Sequence, residues 1–191
     1  MTAAIFVALV MLAQASGRRP IIVEPAEEPV TAGPVRGGVK TFDPSEYLKY
    51  AAGGGNSIRG DAFLRTRGGD VRTCAGESVQ LVPLTYYTLD WLDHVYGSAA
   101  SAYVPIASVV ERAKTYPLHA GASAFIRTAR CNVRGEFEFS GLADGGYAVI
   151  TRVRWEVLGL SAARGGGEQG GELMNTVFVS RGEAARVTLT Q

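Results

Sequence analysis

Histidine and cysteine are nearly missing from this chain, each occurring only twice in 191 residues. With so little histidine, and with no G-x-S-x-G or H-E-x-x-H segment, the chain has poor material for a hydrolase triad or a zinc protease. His119 stands alone in a predicted loop. Asp90 and His94 share a helical face at i, i+4, but a third ligand or a positioned relay partner is missing. Charge of one sign is also scarce: 19 Lys and Arg against 18 Asp and Glu leave a net charge of +1. A nucleic-acid footprint is normally far more basic, so nucleic acid is not an expected partner. No P-loop lysine follows Gly165-Gly166-Gly167, no C-x-x-C joins the cysteines, and no cofactor is expected. Beyond the N-terminus, no apolar run is long enough to cross a bilayer.

What is present begins with an apolar run at residues 3–13, AAIFVALVMLA, followed by the small-x-small pattern Ala13-Gln14-Ala15. This reads as a signal peptide over residues 1–15, and therefore as export to the periplasm or to the cell surface and extracellular space. An uncleaved anchor and a buried helix are the alternatives, although about a dozen residues span a membrane poorly. No cysteine follows the run to carry a lipid, so no stable membrane span is expected after processing. Residues 16–56 are broken by Pro20, Pro25, Pro29 and Pro34 and closed by Gly53-Gly54-Gly55, the composition of a flexible linker or arm. One helical turn is predicted inside it, from Pro44 to Tyr50 with Asp43 as N-cap, which would let Tyr47, Leu48 and Tyr50 dock on the domain that follows.

Residues 57–191 carry strand periodicity. Around the glycines at Gly141, Gly145 and Gly146, Phe137 and Phe139 share one face of a strand, and Tyr147, Val149, Thr151, Val153 and Trp155 share one face of the next. The opposite face of the second strand holds Arg152, Arg154 and Glu156, as in an antiparallel sheet with one wet side. Further strands are expected over Ser78–Leu84, Ser123–Arg130, Glu172–Ser180 and Ala184–Gln191, with Ser161–Gly171 as a long glycine-rich loop. Arg59-Gly60-Asp61 falls in a predicted strand, where an adhesion tripeptide would be inaccessible. Cys74 precedes one strand and Cys131 ends another, so an exported domain would join them in a disulfide; a metal or redox pair is the alternative. Leu84, Tyr87, Trp91, Leu92 and Val95 recur at helical spacing, with Thr85 or Thr88 as N-cap and Gly97 as the stop. A second short helix is expected over Ala107–Lys114.

The spacing Gly135, Phe137, Phe139, Leu142, Gly145, Tyr147, Val149 resembles the signature of carboxypeptidase regulatory-like domains, small sandwiches related to transthyretin (prealbumin). Gly60–Thr66, Cys74-Ala75-Gly76 and Val79–Pro83 resemble the opening strands of bacterial members. Ala143 and Asp144 stand where those domains usually have prolines, and the glycines still supply the turn. The resemblance implies an all-β, seven-stranded Ig-like or prealbumin-like Greek-key sandwich with an inserted helical segment and an extended N-terminal arm. It also implies an accessory rather than enzymatic role: an exported module of the bacterial envelope that binds a protein or glycan partner or serves a structural purpose. Candidate contact residues are the aromatics of the helix and insertion, Tyr86, Tyr87, Trp91, Tyr96, Tyr103 and Tyr116, because loops and insertions on a rigid sandwich build specificity. Outward Arg152 and Arg154, with Arg127, would favour an anionic partner if they cluster. The alternative reading is a small-molecule carrier or enzyme with a pocket between the sheet and the inserted helix.

Overall fold

The structure, a computed structural model, describes residues 40–157 and 167–191. Among them nine strands follow one another: β1 (Asn56–Arg65), β2 (Val71–Thr73), β3 (Ser78–Pro83), β4 (Ser101–Val104), β5 (Arg127–Arg130), β6 (Glu136–Leu142), β7 (Gly145–Val157), β8 (Gly167–Val179) and β9 (Ala184–Leu189). A 3-10 turn (Pro44–Tyr47) leads into α1 (Leu48–Ala51), and α2 (Tyr86–Tyr96), α3 (Ile106–Thr115) and α4 (Ala120–Ser123) lie between β3 and β5. In the first sheet β1 is central, antiparallel to β6 and β2 and parallel to β9. The second sheet is antiparallel throughout, in the order β4-β8-β7-β3-β5.

The expected two-sheet, mostly β architecture is therefore present, with nine strands in place of seven. The two additions, β2 and β4, are three and four residues long, too short for alternation to announce them. Strand β5 begins at Arg127 rather than Ser123, because His119 caps the Gly121 amide and coils Ala120–Ser123 into α4. Strand β8 begins at Gly167, so Gly167–Gly171 are not loop: they pair with Val157–Val153 of β7. Gly170 has φ +116°, and a side chain there would run into the Val153 carbonyl, so only glycine keeps this register. Residues 158–166, the remainder of the expected loop, and residues 1–39, which include the predicted signal peptide, lie outside the described residues.

Two apolar layers hold the elements together. Between the sheets, Ile58, Phe137, Phe139, Val149, Val153 and Leu189 pack into one core. Gly60, in the middle of β1, leaves room for Phe137, whose ring would sit 2.6 Å from an added Cβ. On the far side of the second sheet, Val82, Ala148, Ile150 and Met174 are covered by Trp91, Leu92 and Val95 of α2 and by Val109 of α3. The wet face expected for β7 thus holds only from Arg152 onward; Ala148 and Ile150 lie beneath the helices. Helix α2 starts on a capping box, with Thr85 and Thr88 each satisfying the other's backbone amide, and ends on Gly97 at φ 76°.

The segment before β1 belongs to the folded unit from Lys40 onward rather than to a free arm. Asp43 caps the first turn as predicted, Tyr47 is fully buried with its hydroxyl accepting from Thr85 Oγ1 at 3.1 Å, and Tyr50 donates to the Leu84 carbonyl at 2.8 Å. Apolar burial on this scale offsets the cost of ordering a short polar stretch. Leu48, expected to dock with them, points to solvent. Cys74 and Cys131 form the disulfide, with Cα atoms 5.8 Å apart, and tie the end of β2 in one sheet to the end of β5 in the other.

Candidate functional site

The aromatics singled out in the sequence divide by burial. Tyr87, Trp91, Tyr96 and Tyr116 lie in the core beneath the helices, because the apolar stripe of α2 is what covers the second sheet. Their polar atoms are engaged there. The Tyr87 hydroxyl accepts from the His119 amide at 2.7 Å, Trp91 Nε1 donates to the Tyr116 carbonyl at 3.1 Å, and the Tyr116 hydroxyl donates to Asp90 at 3.1 Å. Burial and the Asp90 carboxylate push the Tyr116 phenol well above its usual range, so it stays a donor. Tyr86 is 76% exposed at the start of α2, and Tyr103 is half-buried at a different place. Where α2 and the second sheet face each other, their apolar side chains pack together.

The charged candidates are also committed. Glu172, 5% exposed, accepts from the Tyr96 hydroxyl and from Arg152 Nε, both at 2.6 Å. Arg154 bridges Glu77 at 2.6 Å and Glu168 at 3.1 Å, and Arg127 donates to the Gly141 carbonyl. Arg152 and Arg154 therefore meet carboxylates within the molecule, and Arg127 meets a carbonyl. Asp90 and His94 do not act as a pair: Asp90 accepts from the Lys40 amide and Tyr116, while His94 Nε2 lies 3.1 Å from Thr115 Oγ1. His119 stacks on Phe42 at 4.4 Å and caps α4.

A different set of residues meets at one end of the sandwich. The end of β1 (Leu64, Arg65), the turn that follows (Thr66, Arg67, Gly68), Tyr103 and Pro105 after β4, Trp155 on β7, Gln169 and Gly170 on β8, and Gln191 line an open cleft of about 720 Å³. Trp155 and Tyr103 are each partly buried against the core between the sheets and also line the cleft. Strand register places them: Trp155 is opposite Gln169, and Tyr103 is opposite Leu173, two residues past Gly171. Gly171 makes the seat, since a Cβ there would stand 2.6 Å from the Tyr103 ring, and the Tyr103 hydroxyl reaches the Gly170 carbonyl at 3.4 Å. The Arg67 turn is pinned by the Thr66 amide donating to the Asp70 carbonyl at 2.9 Å and the Asp70 amide donating to Thr66 Oγ1 at 3.1 Å. Two aromatic side chains beside guanidinium, amide and hydroxyl groups suit a ligand with an apolar face and a polar rim.

Of these residues the sequence reading had Tyr103 among its candidates and Trp155 as an inward-facing strand residue only. The available signal was positional: Trp155 continues the inward series Tyr147 to Val153 to the strand's end, where a sandwich opens. Arg65, Arg67, Gln169 and Gln191 carry no pattern that marks them.

No protein-family model matches this chain, and no curated protein matches it. Among solved structures, the chain is similar to the crystal structure of a proposed carbohydrate-binding protein from Pseudomonas aeruginosa, with 22% identity, a TM-score of 0.61, and coverage of 81% of this chain and 100% of that one. At that identity the likeness is one of fold.

Proposed function

We propose that this protein is an exported, non-catalytic β-sandwich module of the carboxypeptidase regulatory-like kind that binds a saccharide in the cleft at the end of the sandwich. The observation that carries this reading is the pair of partly exposed rings, Trp155 and Tyr103, that line one cleft, Tyr103 being seated over Gly171. Pyranose rings present C–H faces that stack on aromatics, while their hydroxyls pair with planar side chains of the type found on Arg65, Gln169 and Gln191. Both rings are held by the sheet rather than by a free loop, which limits the ordering cost of binding. The fold shared with a proposed carbohydrate-binding protein is in line with this reading, and a cross-sheet disulfide is in line with export.

The test is calorimetric titration of the protein with a panel of oligosaccharides, alongside Trp155→Ala. The expected outcome is saturable binding weakened by roughly tenfold or more in the variant, the loss of one stacked ring, measured well below the variant's own melting temperature because Trp155 also packs on the core. Binding that survives Trp155→Ala undiminished, or no binding across the panel, overturns the reading.

A further inference from the structure

Arginine supplies most of the positive charge here, and part of it is met by carboxylates within the described residues. Arg59 pairs with Glu138 at 2.9 Å, Arg134 with Glu136 at 2.7 Å, and Arg152 and Arg154 with the partners described above. Arg112 and Arg130 each donate to a backbone carbonyl at 3.0 Å. Arg65, Arg67, Arg181 and Arg186 have no such partner among the described residues, and of these Arg65 and Arg67 share one cleft. Among the described residues neither Arg65 nor Arg67 makes an ion pair or a side-chain hydrogen bond, and both line the cleft that holds Trp155 and Tyr103. No Asp or Glu side chain lines that cleft. The contrast is with the groove on the outer face of the first sheet, where Arg59, Arg130 and Arg186 stand beside Glu136 and Glu138.

We propose that the ligand of this cleft is an acidic saccharide, one whose carboxylate or sulfate is received by Arg65 and Arg67 while its ring stacks on Trp155 or Tyr103. The inference rests on the saccharide reading above and adds the charge of the ligand to it. A guanidinium fork matches the oxygens of a carboxylate or sulfate, and two such forks beside ring platforms select for negative charge without a metal. Both arginines are exposed, so each contact is worth only a few-fold in affinity and is screened by salt. The rings set the base affinity; the arginines set the preference.

The experiment uses the full-length protein and saccharides in acid and neutral pairs: tetragalacturonate with its methyl ester, sialyllactose with lactose, and sulfated with unsulfated chondroitin oligosaccharide. In at least one pair the acidic member is expected to bind roughly tenfold tighter at low salt, and the gap should close at about 0.5 M salt. Arg65→Gln with Arg67→Gln should bring the acidic member to the affinity of its neutral twin and leave the neutral twin unchanged. Which pair responds separates carboxylate from sulfate. Equal binding of acidic and neutral members, or an unaltered preference in the double variant, overturns the acidic assignment while the Trp155-dependent reading stands. Absence of binding by every member overturns both.

Discussion

Asp144 shows how single side chains close this fold. It sits in the turn between β6 and β7 and accepts from Asn56 Nδ2 at 2.8 Å and from the Arg181 amide at 3.0 Å, while Asn56 Oδ1 accepts from the Glu183 amide at 2.8 Å. One carboxylate thereby gathers the start of β1, the β6–β7 turn and the β8–β9 turn. These hydrogen bonds, the Asn56 amide first, hold its carboxyl below the usual Asp value, and Arg134 with Asn132 does the same for Glu136. A carboxyl depressed in the folded state contributes stability that is fully present above its unfolded pKa of about 4 and is lost as pH falls through the lower folded value. The melting temperature should therefore be flat from neutral pH to about 5 and fall below about 4. Asp144→Asn should shrink that acid-dependent fall when melts are compared from pH 6 to pH 2.5. An identical fall in variant and parent would show that other carboxylates carry it. Asp144 stands where the resembled family usually has proline, so its role could not be read from that pattern. It depends on Asn56 and Arg181, which lie 88 and 37 residues away in sequence.

At the level of elements, β7 and the cysteine bridge separate what was legible from what was not. The alternation from Tyr147 to Trp155 located β7 and its inward face, since a period of two is local information. Burial of its other face at Ala148 and Ile150 came from α2 and α3, and small or aliphatic residues do not announce which element will cover them. The same limit explains the cleft: Trp155 was legible as inward, but its neighbours Arg65 and Tyr103 come from β1 and β4, and only strand pairing sets them side by side. The disulfide was legible because each cysteine borders a strand and their spacing spans whole elements. Its cysteines are 57 positions apart in sequence, with all of β3, α2, β4, α3, α4 and β5 between them. On the chain-entropy model a loop of that size is worth about 4 kcal/mol. Reduction, or paired Cys74→Ala and Cys131→Ala, should lower the melting temperature by about 10 °C in a domain of this size. A shift within about 2 °C would mean that the loop is already held by α2 on the second sheet and that the unfolded chain is not much freer without the bridge.

The described residues form a three-layer stack in which the second sheet occupies the middle. Its strands β3, β7 and β8 face the first sheet on one side and α2 and α3 on the other, whereas β1 and β6 bury one face alone. The ends differ as well. Tyr50 packs against Gly145 at the start of β7, and Trp155 lies ten residues further along the same strand, about 33 Å away at the rise of a β-strand. The helical turn of Pro44–Ala51 and the cleft at Trp155 therefore occupy opposite ends, and contacts at one end need not disturb the other. Local opening follows the number of covered faces, because an amide exchanges when its strand separates, and a strand buried on both sides must break two apolar layers to do so. Hydrogen exchange followed by mass spectrometry should accordingly find its slowest amides in Val79–Val82, Tyr147–Thr151 and Leu173–Met174. Amides of β2 and β5, short strands at sheet edges, should exchange orders of magnitude faster. If β1 and β6 proved slowest instead, the sheet-to-sheet core would be the stable unit, and the helices would be a layer that opens without disturbing it.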